Sequence, residues 1–385
     1  MKILVVTMDS VENTSSAMIR LLGVLKGFID NRHVVTMLCL EKNAGGTNID
    51  TSKYRFLQKV KIIRLKKWQL REVLWRDPKC KDWKSKIVNF LRKIYHSLSI
   101  FGATYQQAKN VKIDVLGKET SYDVVISSSD PKTSHIAVKR LIQQGLKTKK
   151  WIEYWGDPLA VDMTKLSIYP QFALKIVERC LIKEADEIIY VSPFTLKEQK
   201  KIYKKYSDKM RFLPIPYLTP KLDFIRKNGK TNVSYIGDYV SYVRNIIPFY
   251  NAAKTIKGIQ TFIMGSSDVN LVSCENVRIL PRGDSETIEE ITDILVCILN
   301  SKGSQIPGKL YHCAATCKPV LVILDGDDIK EKKEYIDSFH RFITCENSEH
   351  SICDAIKYII RENLKFEPCK CLSGRAISEK MLVQL

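Results

Sequence analysis

Apolar residues come in two rhythms along this chain: short unbroken runs, and stretches where they recur at helical spacing. The runs have the length of buried strands, and the periodic stretches follow them in turn. Lys2–Thr7 is the first run; a polar loop and a helix from about Thr14 to Ile29 lead to a second at Val34–Leu40. Asp123–Ser127, Lys150–Tyr154 and Glu187–Val191 continue the series. A helix fits Lys132–Gln144, and another is opened by Ser192 as N-cap and Pro193 as first residue. Leu213–Pro220 then carries Pro214, Pro216 and Pro220, precedes the charged stretch Lys221–Lys230, and reads as a linker. Beyond it the series restarts at Val233–Gly237 and continues through Gln260–Met264, Val277–Leu280, Asp293–Leu299 and Pro319–Leu324. Such alternation predicts an α/β protein with two doubly wound parallel sheets. No G-x-G-x-x-G follows the first strand, so a dinucleotide fingerprint is missing there.

The stretch Asp293–Leu324 is the most specific. It reads as strand, polar loop, helix, strand, with Pro307 suited to a first helical turn and Cys317-Lys318-Pro319 ending the helix. In an open parallel sheet, ligands bind beyond the carboxyl ends of the strands. The loop Asn300–Ile306 sits there and feeds a helix N-terminus, whose free N–H groups favour an anion. Gly308-Lys309-Leu310-Tyr311-His312 and Lys318-Pro319-Val320 resemble the donor-binding motif of GT-B glycosyltransferases of the family 4 type, which often contains SKLFEY followed by GKPV.

That resemblance implies the GT-B architecture: two Rossmann-like, doubly wound domains facing a central cleft. The acceptor-binding domain would span 1–217 with a basic insertion at 53–118. A linker at 218–230 and a donor-binding domain at 231–372 follow, and a terminal helix at 373–385 returns to the first domain. The resemblance assigns donor contacts to Gly237, Arg244, Ser304, Gln305, Gly308, Lys309 and His312, and acceptor contacts to Asp9, Ser128 and Asp130. It calls for no cofactor, the nucleotide sugar being a substrate. Many retaining members carry two glutamates eight positions apart, where this chain has Ser304 and His312. An imidazole offers one bond to a ribose hydroxyl, but retaining and inverting outcomes both stay open.

Each of these residues also has a plainer reading. Arg244 and Lys309 are phosphate ligands on the resemblance and surface cations without it. His312 is a ribose contact or a helix histidine satisfied within its own domain. Asp157, in Trp155-Gly156-Asp157-Pro158, is a base beside an acceptor hydroxyl or the cap of the next turn. Asp325-Gly326-Asp327-Asp328 invites a metal, yet a cation needs oxygens converging from several directions. An acidic turn that caps a helix from Ile329 accounts for these residues, and no metal is expected.

Charge changes the picture of the first half. The 385 residues carry a net charge of +20, with 45% hydrophobic and 27% charged residues, an ordinary globular balance. Residues 1–217 hold 40 Lys+Arg against 21 Asp+Glu, whereas 218–385 hold 22 against 21. The neutral half suits a small ligand and the basic half an anionic surface. Lys53–Lys112 alone has 17 basic residues against three acids. Within it Trp83, Ile87, Phe90, Leu91, Ile94, Leu98 and Phe101 share a helical face flanked by Lys84, Lys86, Arg92 and Lys93. The helix either packs on its own domain or lies in a membrane interface, with Trp83, Lys86, Phe90, Arg92, Lys93 and Ile94 as contacts.

No apolar run approaches the roughly 18 residues of a membrane span, no leader precedes the first strand, and the eleven cysteines are scattered. These features suit a cytoplasmic protein, peripheral at the inner face of the plasma membrane. The expected function is transfer of a sugar from a nucleotide sugar to a lipid-linked oligosaccharide or similar acceptor in surface-polysaccharide synthesis. Alternatives are a sugar-nucleotide 2-epimerase of the same fold and a non-catalytic anionic-surface-binding protein. No RNP-like sheet motif, zinc finger or helix-turn-helix points to nucleic acid.

Overall fold

The computed structural model describes residues 1–13, 15–42, 51, 54–66, 98–161, 168–222 and 229–383. They form two compact units, Met1–Pro214 with Gly374–Leu385, and Ile215–Ser373.

The first unit is built on a parallel sheet of β1 (Lys2–Ser10), β2 (Val34–Leu40), β3 (Val60–Leu65), β4 (Ser121–Ser128), β5 (Lys147–Trp155), β6 (Glu187–Tyr190) and β7 (Met210–Phe212). Its spatial order is β3-β2-β1-β4-β5-β6-β7. The apolar runs expected as strands are therefore strands, and the inner ones are buried on both faces, as crossover helices require. β3 is the exception to the sequence reading. Val60–Leu65 lies inside the stretch expected to be a basic insertion, yet it pairs with β2 from Val35↔Val60 to Leu40↔Leu65. As an edge strand it leaves Lys61 and Arg64 exposed, where they pair with Glu119 and Glu12, so its charges hid its alternation.

The helix Gly374–Leu382 belongs to this first unit. It lies on the helix Ser16–Asp30 at very short range. A Cβ on Gly27 would stand 1.9 Å from the Gly374 carbonyl oxygen, and one on Gly374 would stand 2.4 Å from that of Gly23. Asn31 Nδ2 donates to Arg375 O at 3.0 Å and to Ser378 Oγ at 2.9 Å. Arg211 closes the far end by donating to the carbonyls of Lys380 and Met381.

The second unit has β8 (Thr231–Ile236), β9 (Ile259–Met264), β10 (Val277–Leu280), β11 (Ile294–Ile298), β12 (Val320–Leu324) and β13 (Ile343–Glu346), in the order β10-β9-β8-β11-β12-β13, all parallel. Its core joins β8, β11 and β12 to the helices Ile247–Thr255 and Glu349–Arg361 through Val233, Phe249, Val296, Leu321, Ile352 and Ile356. The proline-rich run is partly packed: Ile215 and Tyr217 are buried, and Tyr217 N donates to Leu372 O at 3.0 Å.

In each unit the strand order reverses once, between β1 and β4 and between β8 and β11. Loops leaving neighbouring strands part company at such a point, which opens a crevice at the carboxyl ends.

Candidate functional site

In the second unit the crevice is framed by the loops after β8 and β11. Gly237 follows β8 with φ 153°, donates its N–H to Met264 O at 2.8 Å, and comes so close to Gly265 that a Cβ there would lie 2.1 Å from the Gly237 carbonyl. The chain then turns through Val240–Arg244, where Arg244 N bonds to Val240 O at 2.9 Å. Arg244 is half-buried. Its Nε donates to Asn300 Oδ1 at 3.1 Å and its Nη1 to Asp238 O at 2.7 Å, so one guanidinium ties both loops together. Ser301 adds a second stitch, its N and Oγ donating to Val243 O at 2.7 and 3.0 Å. The turn after β12 closes in as well, because a Cβ on Gly326 would meet the Asn300 and Ser301 carbonyls at 2.6 and 2.7 Å. A guanidinium has five donors, more than these contacts consume, in a fork that matches phosphate oxygens.

Ser304, Gln305 and Gly308 lie partly exposed along the same connection from β11 into the short helix Gly308–Cys313. Pro307 immediately precedes that helix, one position earlier than expected. Lys309 Nζ stands 3.8 Å from Glu289 Oε2, and Lys221 Nζ stands 2.8 Å from Glu289 Oε1. Burial opposes ionisation of Glu289, but Lys309 and Lys221 outweigh it and hold the carboxyl below its ordinary value. Burial, reinforced by Lys309, pushes His312 down to about 4, so its imidazole is neutral near pH 7 with one donor and one acceptor. Asn300, Ser301 and Glu289 were not anticipated. Nothing local sets Asn300 and Ser301 apart from the rest of the polar loop, and Glu289 is remote in sequence.

The acidic turn after β12 is internally satisfied. Asp325 Oδ1 accepts from Gly326 N at 2.8 Å and Oδ2 from Asn347 Nδ2 at 2.9 Å, while the buried Lys332 reaches back to Asp325 O at 3.2 Å. The helix does begin at Ile329, but Asp328 before it is left-handed and makes no side-chain cap. Among the described residues, no three His, Cys, Asp or Glu side chains converge as a metal site.

In the first unit, Asp9 lies near the end of β1, and Ser128 and Asp130 lie at and just beyond the end of β4, on the two sides of the sheet reversal. Asp9 is spent on its own loop: its carboxylate accepts from Ser10 N at 2.8 Å and from Asn13 Nδ2 at 2.8 and 3.0 Å. Ser128 is buried, with its hydroxyl 3.5 Å from Ser129 O. Asp130 is the more open group. Burial opposes its charge, but Lys132, with Nζ 2.6 Å away, and Arg20 hold it below the usual carboxylate range. Asp157 follows β5 in a turn whose Leu159 and Ala160 N–H groups donate to Glu178 at 3.2 and 2.9 Å. A Cβ on Gly156 beside it would be 2.3 Å from Arg20 Nη1, so a side chain there would have to displace that guanidinium. Trp83, Lys86, Phe90, Arg92, Lys93 and Ile94 lie outside the described residues.

Beneath this reversal lies a buried acid that the sequence reading passed over. Glu153 on β5 accepts from Trp155 Nε1 at 3.0 Å, and burial pushes it up to about 8. His135, stacked on Trp155 and 2.8 Å from Ser127 Oγ, is pushed down by burial to about 3. Folded Glu153 keeps its proton up to about pH 8, while the unfolded chain releases it near 4.5. Its contribution to stability is therefore complete below the lower value and is lost as pH rises through the higher one. His135 acts in the opposite direction, costing stability as pH falls below 6.5. Glu153→Gln is expected to gain on the wild type as pH rises, by up to about 1.4 kcal/mol per unit. Urea melts at about pH 5 and about pH 8 read this directly, and a constant difference between the two proteins would refute the buried-acid assignment.

Solved structures resemble the chain over its full length. HepE of Anabaena, in complex with UDP-glucose, aligns with a TM-score of 0.55 at 10% identity, covering 99% of this chain and 95% of that one. The fold is GT-B. Sucrose-phosphate synthase from Thermosynechococcus elongatus shares this GT-B fold with a TM-score of 0.55 at 14% identity, over 99% of this chain and 94% of that one. A glycosyltransferase from Rickettsia africae gives 0.54 at 14%, over 98% and 91%. No protein-family profile matches the sequence, and no curated protein does either.

Proposed function

We propose that the protein is a glycosyltransferase that moves a sugar from a nucleotide-sugar donor to an acceptor hydroxyl. The observation that carries this reading is Arg244, held across Asp238 and Asn300 at the reversal of the second sheet. It stands in a fold shared with a UDP-glucose complex. Departure of the diphosphate builds negative charge on its oxygens. A fixed guanidinium, aided by the Lys309 ammonium, stabilises that charge without reorganising. His312, neutral near pH 7, offers a ribose hydroxyl one hydrogen bond. Gln305, Ser304 and the main chain around Gly237 and Gly308 complete the donor side, and no cofactor beyond the nucleotide sugar is invoked.

The first unit would serve the acceptor, with Asp130 and Ser128 at its sheet reversal and Asp157 beyond β5. Its surplus of basic residues favours a lipid-linked oligosaccharide on an anionic membrane, at the inner face of the plasma membrane during surface-polysaccharide assembly. Among the described residues no helix is long and apolar enough to cross a membrane. The test is incubation with a panel of UDP-, GDP-, ADP- and CMP-sugars, reading nucleotide release alone and with isolated lipid-linked glycans. Acceptor-dependent release of one nucleotide is expected. No release and no binding with any donor would overturn the reading.

A further inference from the structure

We propose that the outer face of the helix Gln171–Ile182, together with Ile168 and Leu98, is the surface that docks on an anionic phospholipid bilayer. This names the contact face for the membrane part of the reading above and rests on it. Phe172 is 68% exposed, Ile168 61%, Ile176 58% and Leu98 56%, in a unit whose other large apolar side chains are mostly buried. Their grouping has a structural cause. On the helix, Leu174, Glu178, Leu181 and Ile182 turn inward. Phe172 and Ile176, one turn apart, are left facing out with the exposed Arg179 and Lys183 further along the same stripe. Ile168 precedes the helix, and its neighbour Tyr169 donates its hydroxyl to Leu98 O at 2.8 Å, which brings Leu98 to the same place.

Leu98 lies within the stretch Lys53–Lys112, where 17 basic residues face three acids. On the face itself, apolar side chains that water does not favour stand beside the exposed cations Arg179 and Lys183. That pairing is what an anionic leaflet rewards, rings and aliphatics entering the acyl boundary while cations stay at the headgroups. The helix's own acid, Glu178, is buried, and the exposed Glu184 just beyond it is paired with Lys139 at 2.7 Å. A patch of this kind with charge of the other sign would suit a basic partner; here it does not.

The test is sedimentation of the full chain with vesicles of phosphatidylglycerol and phosphatidylethanolamine, and with phosphatidylcholine alone, at low and high salt. The wild type is expected to bind the anionic vesicles and to keep a salt-resistant fraction. Phe172→Glu/Ile176→Glu should weaken that binding by at least about tenfold. Arg179→Glu/Lys183→Glu should weaken it mainly at low salt. All four positions are exposed, so thermal melts are expected to match, and UDP affinity serves as the control for the donor site. Intact UDP binding without vesicle binding would overturn the docking face and leave the transferase reading standing. Equal vesicle binding by wild type and Phe172→Glu/Ile176→Glu would overturn it too. So would a wild-type dimer that the same pair of substitutions splits, since the face would then meet a second copy.

Discussion

Arg244→Ala is expected to lower affinity for a free nucleoside diphosphate by roughly 1.5–3 kcal/mol, about ten- to a hundredfold, while the protein stays folded. The size follows from two losses that coincide. A charged fork facing phosphate oxygens disappears, and with it the link from Asp238 O to Asn300 Oδ1 that keeps the loops after β8 and β11 in register. Arg244→Lys separates the two, because an ammonium restores charge but cannot span both partners in a plane. It should fall between wild type and alanine. Lys309→Ala is expected to weaken binding in the same range, with the added sign that its partner Glu289 loses part of the field that keeps it ionised. Titration calorimetry with UDP is the measurement. Unchanged affinity in both Arg244→Ala and Lys309→Ala would remove the phosphate assignment altogether.

Gly27→Ala should destabilise the first unit by about 1–3 kcal/mol, even though alanine is the better helix former by roughly 1 kcal/mol. Sterics win because the atoms in the way are main chain. The new Cβ would sit 1.9 Å from Gly374 O and 2.4 Å from its carbon, so a whole helix has to move. Gly27→Leu should detach the helix Gly374–Leu382 outright, exposing Ile377 and Met381, which are buried. Denaturant melts, together with protease sensitivity near Gly374, read both effects. A more stable Gly27→Ala protein would show that the two helices are not packed backbone to backbone.

What the sequence disclosed depended on whether a residue's neighbours in the fold are also its neighbours in the chain. β1, β4, β8, β11 and β12 announce themselves because a strand buried on both faces must be largely apolar. The edge strand β3 is under no such demand and passed for part of a basic stretch. The loop Asn300–Ile306 and Arg244 were both singled out, but separately. That Asn300 Oδ1 accepts from Arg244 Nε joins positions 56 residues apart, and no local pattern records it. Arg20 and Glu153 left a faint mark, each a lone charge inside an apolar run, and both are buried at the sheet reversal of the first unit. Asp9 shows the converse. Its place after the first strand suggested a ligand contact, yet its oxygens hold Ser10 and Asn13. Position in a topology is readable from order along the chain, whereas the orientation of a carboxylate is not.

The helix Gly374–Leu382 has a bearing on how the protein is made. The first unit needs it, but the ribosome delivers it only after the whole of Ile215–Ser373 has been translated. Domains usually fold as they emerge, N-terminal first. Here the order is inverted: the contiguous second unit can finish while the first still waits for its last piece, with the Gly23–Gly27 groove uncovered. During that interval the Gly23–Gly27 face of the helix Ser16–Asp30 has no partner on the nascent chain.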